Sequence, residues 1–448
     1  MRCLKIWKRE RHEMDFYCVI KPLYYVSKVT GVAQFSYIQT NLKSLNGKVL
    51  KINDLKPSGM LWTLFVFLVL ASGLVSVMMW NFLYDYTNYS FNVIITDTFS
   101  ILLLYGSSFS CLIIVGIVHR KDIIQILKKF SLLDTVLLRN HRQRRYKKEN
   151  NFIIVELSVC VVVLFLSYGY HVSSWATGIA IIPFASKDLA HFAGTIILTQ
   201  YVDVVLLLRS RFKKLNEELL LQCADSENNL CRLEVRDTYQ RCNRIAFLED
   251  FSALSPWKQD CKVECYKSSS KCKLLPPGSH RRDREVIRQF RVLHSELMDI
   301  CDLVNSCYGF SILLLFAYYF TSLLSSVFYV MQKVVSLDIT SETDPDVIRG
   351  LVSSSFWALV YFLKVVVTTV VCTEASAAAR NTGRIVHSIL LQDVSQNVIT
   401  ELKLFSLQLL GNSSELFTAF KFFEINLTFL YNFVGSTAMY LIILIQLK

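Results

Sequence analysis

The 448-residue chain carries 48 Lys and Arg against 36 Asp and Glu, a formal net charge of +12, yet 53% of its residues are apolar and 13% are aromatic. That composition, with a mean hydropathy of +0.38, does not fit a soluble surface. The positive charge falls between long uncharged runs, so it reads as a topological signal, and a nucleic-acid partner is not expected.

In chain order, residues 1–58 come first and are polar. They open on MRCLKIWKRERHE, with no apolar core of leader length and no small-residue cleavage site, so no cleaved leader is expected. Four runs long enough to cross a membrane follow within 59–208, at 59–80, 92–118, 152–172 and 189–208. Residues 209–303 continue in helical patterns. LRSRFKKLNEELLLQ keeps an apolar stripe at Leu215, Leu219 and Leu220, and Ile287, Phe290, Leu293, Leu297 and Ile300 recur at three and four residues. The Lys-, Ser-, Cys- and Pro-containing stretch 252–280 between them reads as a mobile loop. Two further spans, 304–331 and 351–373, fill 304–373. Residues 374–423 read as one amphipathic helix with Ile385, Ile389, Val394, Val398, Leu402 and Leu409 in phase, and the last span occupies 424–447 of a final segment 424–448.

Seven spans divide the connections into two sets, and 43 of the 48 Lys and Arg fall on the set that includes the N-terminal segment. The positive-inside rule then makes the N-terminus cytoplasmic and the C-terminus extracellular. The expected fold is an all-α membrane protein with a helical cytoplasmic anchor region. None of the 13 cysteines falls in an expected outer loop, so no disulfide is expected. Cys261, Cys265 and Cys272 lack a paired CxxC and have only His280 nearby, so no metal site is expected. Of three glycosylation sequons, only that of Asn88 faces outward.

No paired inward carboxylates, Cys/His or Ser/His arrangement or phosphate-cradling glycine loop appears, so no enzyme and no cofactor is expected. The informative residues are ionisable ones inside spans: Asp97, Glu156, His191, Asp203 and Lys364. Glu156 and Asp203 lie near inner ends, Asp97 and His191 in outer halves. Lys364 lies near mid-depth, with Tyr361 one turn and Trp357 two turns away on the same face. Aromatics crowd the outer halves, among them Tyr168, Tyr170, Trp175, Phe328 and Tyr329. Two readings stay open, an interfacial belt and the wall of a small-molecule cavity. The candidate pocket is Asp97, Tyr170, His191, Tyr329, Trp357, Tyr361 and Lys364. The outward connections carry Asp85, Asp188, Asp338, Glu342, Asp344 and Asp346, which would concentrate cations.

On the last helix Ser436, Tyr440, Ile443, Leu444 and Leu447 share a face, with Gln446 about 100° round from Leu447. Several copies about an axis would form an aliphatic ring able to block ions by dewetting. Packing plus an interfacial glutamine explains the same residues.

The run YLIILIQL resembles the C-terminal signature of insect gustatory receptors, Thr-Tyr, five apolar residues, then Gln-Phe. Tyr440 and Gln446 match in register, while Met439 and Leu447 replace the usual threonine and phenylalanine. FSLQLL, FTAFKFFEINLTFLYNFVGSTAMYLIILIQL and ARNTGRIVHSILL extend the similarity over about the last seventy residues, and IKPLYYVSKVTGVAQF is similar to the family's opening. The resemblance implies a ligand-gated, non-selective cation channel in the plasma membrane of sensory neurons. It implies a homo- or hetero-tetramer in membrane lipid, opened by a small-molecule tastant bound in an outward-facing pocket. It places Gln446 and Leu447 at the constriction, with Tyr440, Ile443 and Leu444 on the same helix. Sugar-receptor members resemble one another in an acidic residue after the motif tyrosine. Leu441 stands there, which favours a bitter or broadly tuned ligand. An insect odorant receptor is the alternative. A G-protein-coupled receptor fits less well, for it needs the opposite orientation and its Asp-Arg-Tyr and Asn-Pro-x-x-Tyr motifs are missing.

Overall fold

The computed structural model describes residues 16–33, 36–41, 48–53, 57–85, 91–138, 142–175, 181–224, 279–337, 345–391, 396–411 and 416–446. The described elements are α1 (Phe16–Val19), α2 (Lys21–Val29), the antiparallel hairpin β1 (Ser36–Asn41) and β2 (Lys48–Asn53), α3 (Pro57–Trp80), α4 (Phe91–Ser110), α5 (Arg120–Leu137), α6 (Arg142–Trp175) and α7 (Ile181–Ala224). Then come α8 (Ser279–Leu337), α9 (Pro345–Leu390), α10 (Gln396–Gly411), the two-residue strands β3 (Thr418–Ala419) and β4 (Phe423–Glu424), and α11 (Leu427–Gln446). Seven of the described helices, α3, α4, α6, α7, α8, α9 and α11, are long and apolar enough to cross a membrane. All seven expected spans are therefore helical, and the architecture is nearly all-α, with two small hairpins that no sequence pattern announced.

Four expectations are corrected. The connection after the second span holds α5, whose Ile124, Leu127, Phe130, Leu133 and Leu137 are buried at helical spacing. The single amphipathic helix expected over 374–423 is two, because α9 runs to Leu390 and α10 starts only at Gln396. Its stripe is nonetheless inward, with Ile385, Ile389, Val398 and Leu402 all buried. The last helix starts at Leu427 rather than at 424. Asn426 sets that start, its side-chain Oδ1 accepting from the Phe429 amide at 2.9 Å as an N-cap. Finally, Asp188, expected in an outer connection, is buried within α7, which begins seven residues earlier. The stretch 252–278 lies outside the described residues.

The chain forms two compact units. The first comprises residues 1–204, 302–369 and 418–448. Within it α7 is the most enclosed of the spans, and small polar side chains hold its neighbours against it. The Ser108 hydroxyl donates to the Ala190 carbonyl at 3.1 Å, and the Gln200 amide donates to Ser27 of α2. The Tyr105 and Ser186 hydroxyls pair at 2.7 Å, and Ser110 of α4 pairs with Ser311 of α8 at 3.2 Å, joining two further helices of this unit. Hydroxyls and glycines let helix backbones approach closely where lipid offers no hydrophobic gradient to drive packing. Gly73 of α3 shows how closely, for a Cβ there would lie 1.7 Å from Ser186 Oγ and 2.8 Å from its Cβ.

The second unit comprises 205–301 and 370–417, taking the remaining turns of α7, α8 and α9 together with α10. Phe212, Leu215, Leu297, Ile300, Leu402 and Phe405 form its apolar interior. Asn216, fully buried, bridges two turns of α9, donating to the Ala378 carbonyl at 2.8 Å and accepting from Thr382 Oγ1 at 2.7 Å. Glu401 of α10 accepts from Arg284 at 3.1 Å and lies 3.7 Å from Arg291, both on α8.

The α3/α7 contact gives a direct test. Gly73→Ala should sharply lower the yield of monodisperse protein in size-exclusion chromatography, and adding Ser186→Gly should restore it. Equal yields for Gly73→Ala and the parent would show that the approach is not tight.

Candidate functional site

The candidate site lies in the first unit, where α7, α8 and α9 each contribute one polar or aromatic face. On α7, His191, Thr195, Thr199 and Asp203 recur every fourth residue and so form one polar stripe along the helix. On α9, Trp357, Tyr361 and Lys364 share a face at i, i+4 and i+7. Tyr318 and Tyr319 come from α8.

These faces meet. The His191 ring stacks on Trp357 at 5.1 Å between centroids with a 25° tilt, and Trp357 stacks on Tyr361 at 5.6 Å. The Tyr318 hydroxyl sits 3.0 Å from His191 Nε2 and 3.0 Å from the Tyr361 hydroxyl, so one buried oxygen joins all three helices. Tyr319 stacks on Tyr361 at 5.9 Å. One turn further along α9, the Lys364 ammonium donates to Thr195 Oγ1 at 2.8 Å and lies 5.4 Å from the Tyr319 ring centroid. A hydroxyl and a ring face thus receive the lysine. Further along the stripe, Thr199 lies 4.0 Å from the Cys160 sulfur of α6. Aromatic pairs of this kind contribute about 0.5–1.5 kcal/mol each beyond their area.

Of the seven candidate pocket residues, His191, Trp357, Tyr361 and Lys364 are brought together. Asp97 lies on α4 and accepts from the Asn81 side-chain amide at 3.2 Å. Tyr329 lies elsewhere, eleven residues beyond Tyr318 on α8, with the Lys333 ammonium 5.9 Å from its ring centroid and Gly350 against its hydroxyl. The Tyr170 side chain and Asn88 lie outside the described residues. Sequence reading missed Tyr318, Tyr319 and Thr195. Only the i, i+4 polar stripe of α7 could have pointed to Thr195, and α8 is so rich in aromatics that nothing marked Tyr318.

At the other end of the chain, α11 buries only Phe433 and Thr437. Phe320 of α8 meets Phe433 edge-on at 5.5 Å and Tyr440 at 5.9 Å. Leu444 is half-buried in line with Leu441, whereas Tyr440, Ile443 and Gln446 are exposed and Leu447 lies outside the described residues.

The junction thus gathers stacked rings, the hydrogen-bonding groups of His191, Thr195, Tyr318 and Tyr361, and one lysine amine. A profile of the 7tm chemosensory receptor family matches residues 20–448, and the chain belongs to that family. It is a multi-pass plasma-membrane protein, and its family is one of chemosensory receptors. Among relatives from Drosophila melanogaster, the protein provisionally named gustatory receptor 28a is 24% identical over 343 residues, 73% of this chain and 71% of that one. A second, provisionally named gustatory receptor 2a, is 28% identical over 174 residues, 35% of this chain and 40% of that one. The fold is shared with the insect olfactory receptor OR5 of Machilis hrabei, at a TM-score of 0.54 and 12% identity over 100% of this chain and 99% of that one. The same receptor in complex with eugenol aligns at a TM-score of 0.55 and 12% identity, over 96% of this chain and 98% of that one.

Tyr318→Phe removes the hydroxyl that His191 and Tyr361 share while keeping the ring. A lost buried hydrogen bond of this kind costs about 1–3 kcal/mol, so the unfolding temperature of the purified protein should fall. An unchanged temperature would mean that the hydroxyl contributes nothing to the three-helix junction.

Proposed function

We propose that this chain is a gustatory receptor, a ligand-gated non-selective cation channel of sensory neurons. Four subunits, identical or mixed with other gustatory receptors, would surround a pore lined by α11. The observation that carries this reading is the surface of α11. A helix ending in an amide buries two side chains in its own subunit and leaves Met439, Tyr440, Ile442, Ile443 and Ile445 exposed for lipid or for other copies. The tastant would bind at the cluster of His191, Tyr318, Trp357 and Tyr361, whose stacked rings and hydroxyls suit a flat organic molecule with a polar group. A bitter or broadly tuned compound is favoured over a sugar by Leu441 and by this apolar, aromatic chemistry, and the eugenol complex of the olfactory receptor supports small aromatic ligands. An odorant receptor is the second reading, favoured by the same shared fold.

Whole-cell recording separates gate from pocket. Gln446→Ala and Ile443→Ala should change basal leak or reversal potential without loss of surface protein. His191→Ala and Tyr361→Ala should raise the half-maximal ligand concentration at least tenfold and leave the reversal potential unchanged. Parental currents in all four variants would contradict the assignment.

A further inference from the structure

We propose that His119, Asp122 and Cys307 form a binding site for a divalent metal ion of the zinc class, a site that the sequence reading did not anticipate. His119 closes the π-helical stretch Cys111–Val118 that continues α4, its amide donating to the Ile114 carbonyl at 2.8 Å. Its backbone, at φ −91° and ψ 17°, breaks the helix and starts α5. That break puts Asp122 in the first turn of α5, with its carboxylate 2.7 Å from His119 Nδ1. Cys307 arrives independently, from α8, as a fully buried free thiol. The three ligand atoms all lie within 4.8 Å of one another, and all three residues belong to the first unit.

A histidine and an aspartate three residues apart make an ordinary local pair. A buried sulfur from a distant helix aimed at that pair makes a donor set. Nitrogen, oxygen and sulfur together suit a borderline ion such as Zn²⁺ and are wrong for Mg²⁺ or Ca²⁺, which take oxygen ligands. Three protein ligands leave a fourth tetrahedral position for water. Tetrahedral ligand atoms stand about 3.4 Å apart at zinc–ligand lengths of about 2.1 Å, so side-chain rotation of around an ångström closes the set. The His119 and Asp122 side chains are 22% and 35% exposed, which supplies an entry path to the buried thiol. On binding, Cys307 coordinates as thiolate and its proton passes to solvent, so affinity falls as the solution is acidified. The ion would clip the end of α4 and the start of α5 to α8. Helix ends that deviate into π geometry are frequent at functional positions.

The test uses the purified full-length chain carrying Cys261→Ser, Cys265→Ser and Cys272→Ser, so that these clustered thiols do not compete for metal. Titration with Co²⁺ should reach one ion per chain, with a thiolate-to-cobalt charge-transfer band and the visible bands of four-coordinate cobalt, and Zn²⁺ should displace it. Cys307→Ser should remove the charge-transfer band. His119→Ala and Asp122→Asn, which alter partly exposed side chains, should each weaken Co²⁺ binding at least tenfold while leaving the metal-free unfolding temperature unchanged. The proposal fails if the parent shows no charge-transfer band. It fails equally if the band survives Cys307→Ser, or if both His119→Ala and Asp122→Asn bind Co²⁺ as the parent does.

Discussion

Every polar group placed in the hydrocarbon of a bilayer must find its partner inside the protein, because leaving one unpaired there costs several kcal/mol. That constraint organises the first unit around α7. His191, Thr195 and Gln200 are all buried or half-buried on this one helix, and its neighbours bring Tyr318, Lys364, Tyr308 and Ser27 to meet them. A helix with so many polar side chains belongs in the middle of the bundle, where α7 is found, while the uncharged α3 turns Leu61, Phe65 and Leu68 outward.

The same constraint separates two kinds of surface. At the α7–α8–α9 junction the polar groups satisfy one another, and the rings around them pack closely. A ligand with a ring and a polar group can compete for those partners, which is how a packed cluster can serve as a recognition site. On α11 the arrangement is reversed. Few side chains are buried within the subunit, and an exposed amide, Gln446, stands at the helix end. A surface of that sort is completed by lipid or by further copies of the chain, and a pore is one such completion.

How much of this was legible in the sequence depended on the range of the signal. Seven uncharged runs marked seven helices, since hydrophobic length is a local property, and the stripes of Ile287, Leu297 and Leu402 identified inward faces correctly. α5 was missed because it lies in a connection dense in Lys and Arg, whose charges drew attention from Phe130 and Leu133. Single intramembrane ionisable residues identified His191 and Lys364, yet their partners Tyr318 and Thr195 come from other helices and carry no local mark. The grouping of His119 and Asp122 with Cys307 spans nearly 190 residues, a separation that no spacing rule for metal ligands covers. Asp188 failed for the opposite reason. A charged residue beside an apolar run reads as the end of that run, although α7 continues through it and buries the carboxylate.

The central claim is that the chain itself conducts ions when a small molecule binds. The most direct test is to reconstitute the purified chain alone into planar lipid bilayers and record current while small aromatic compounds and sugars are applied in turn. The account predicts discrete, ligand-dependent cation openings, from this chain alone or on addition of another gustatory receptor subunit. Bilayers that stay silent in both cases to a compound shown to bind the same preparation would contradict it.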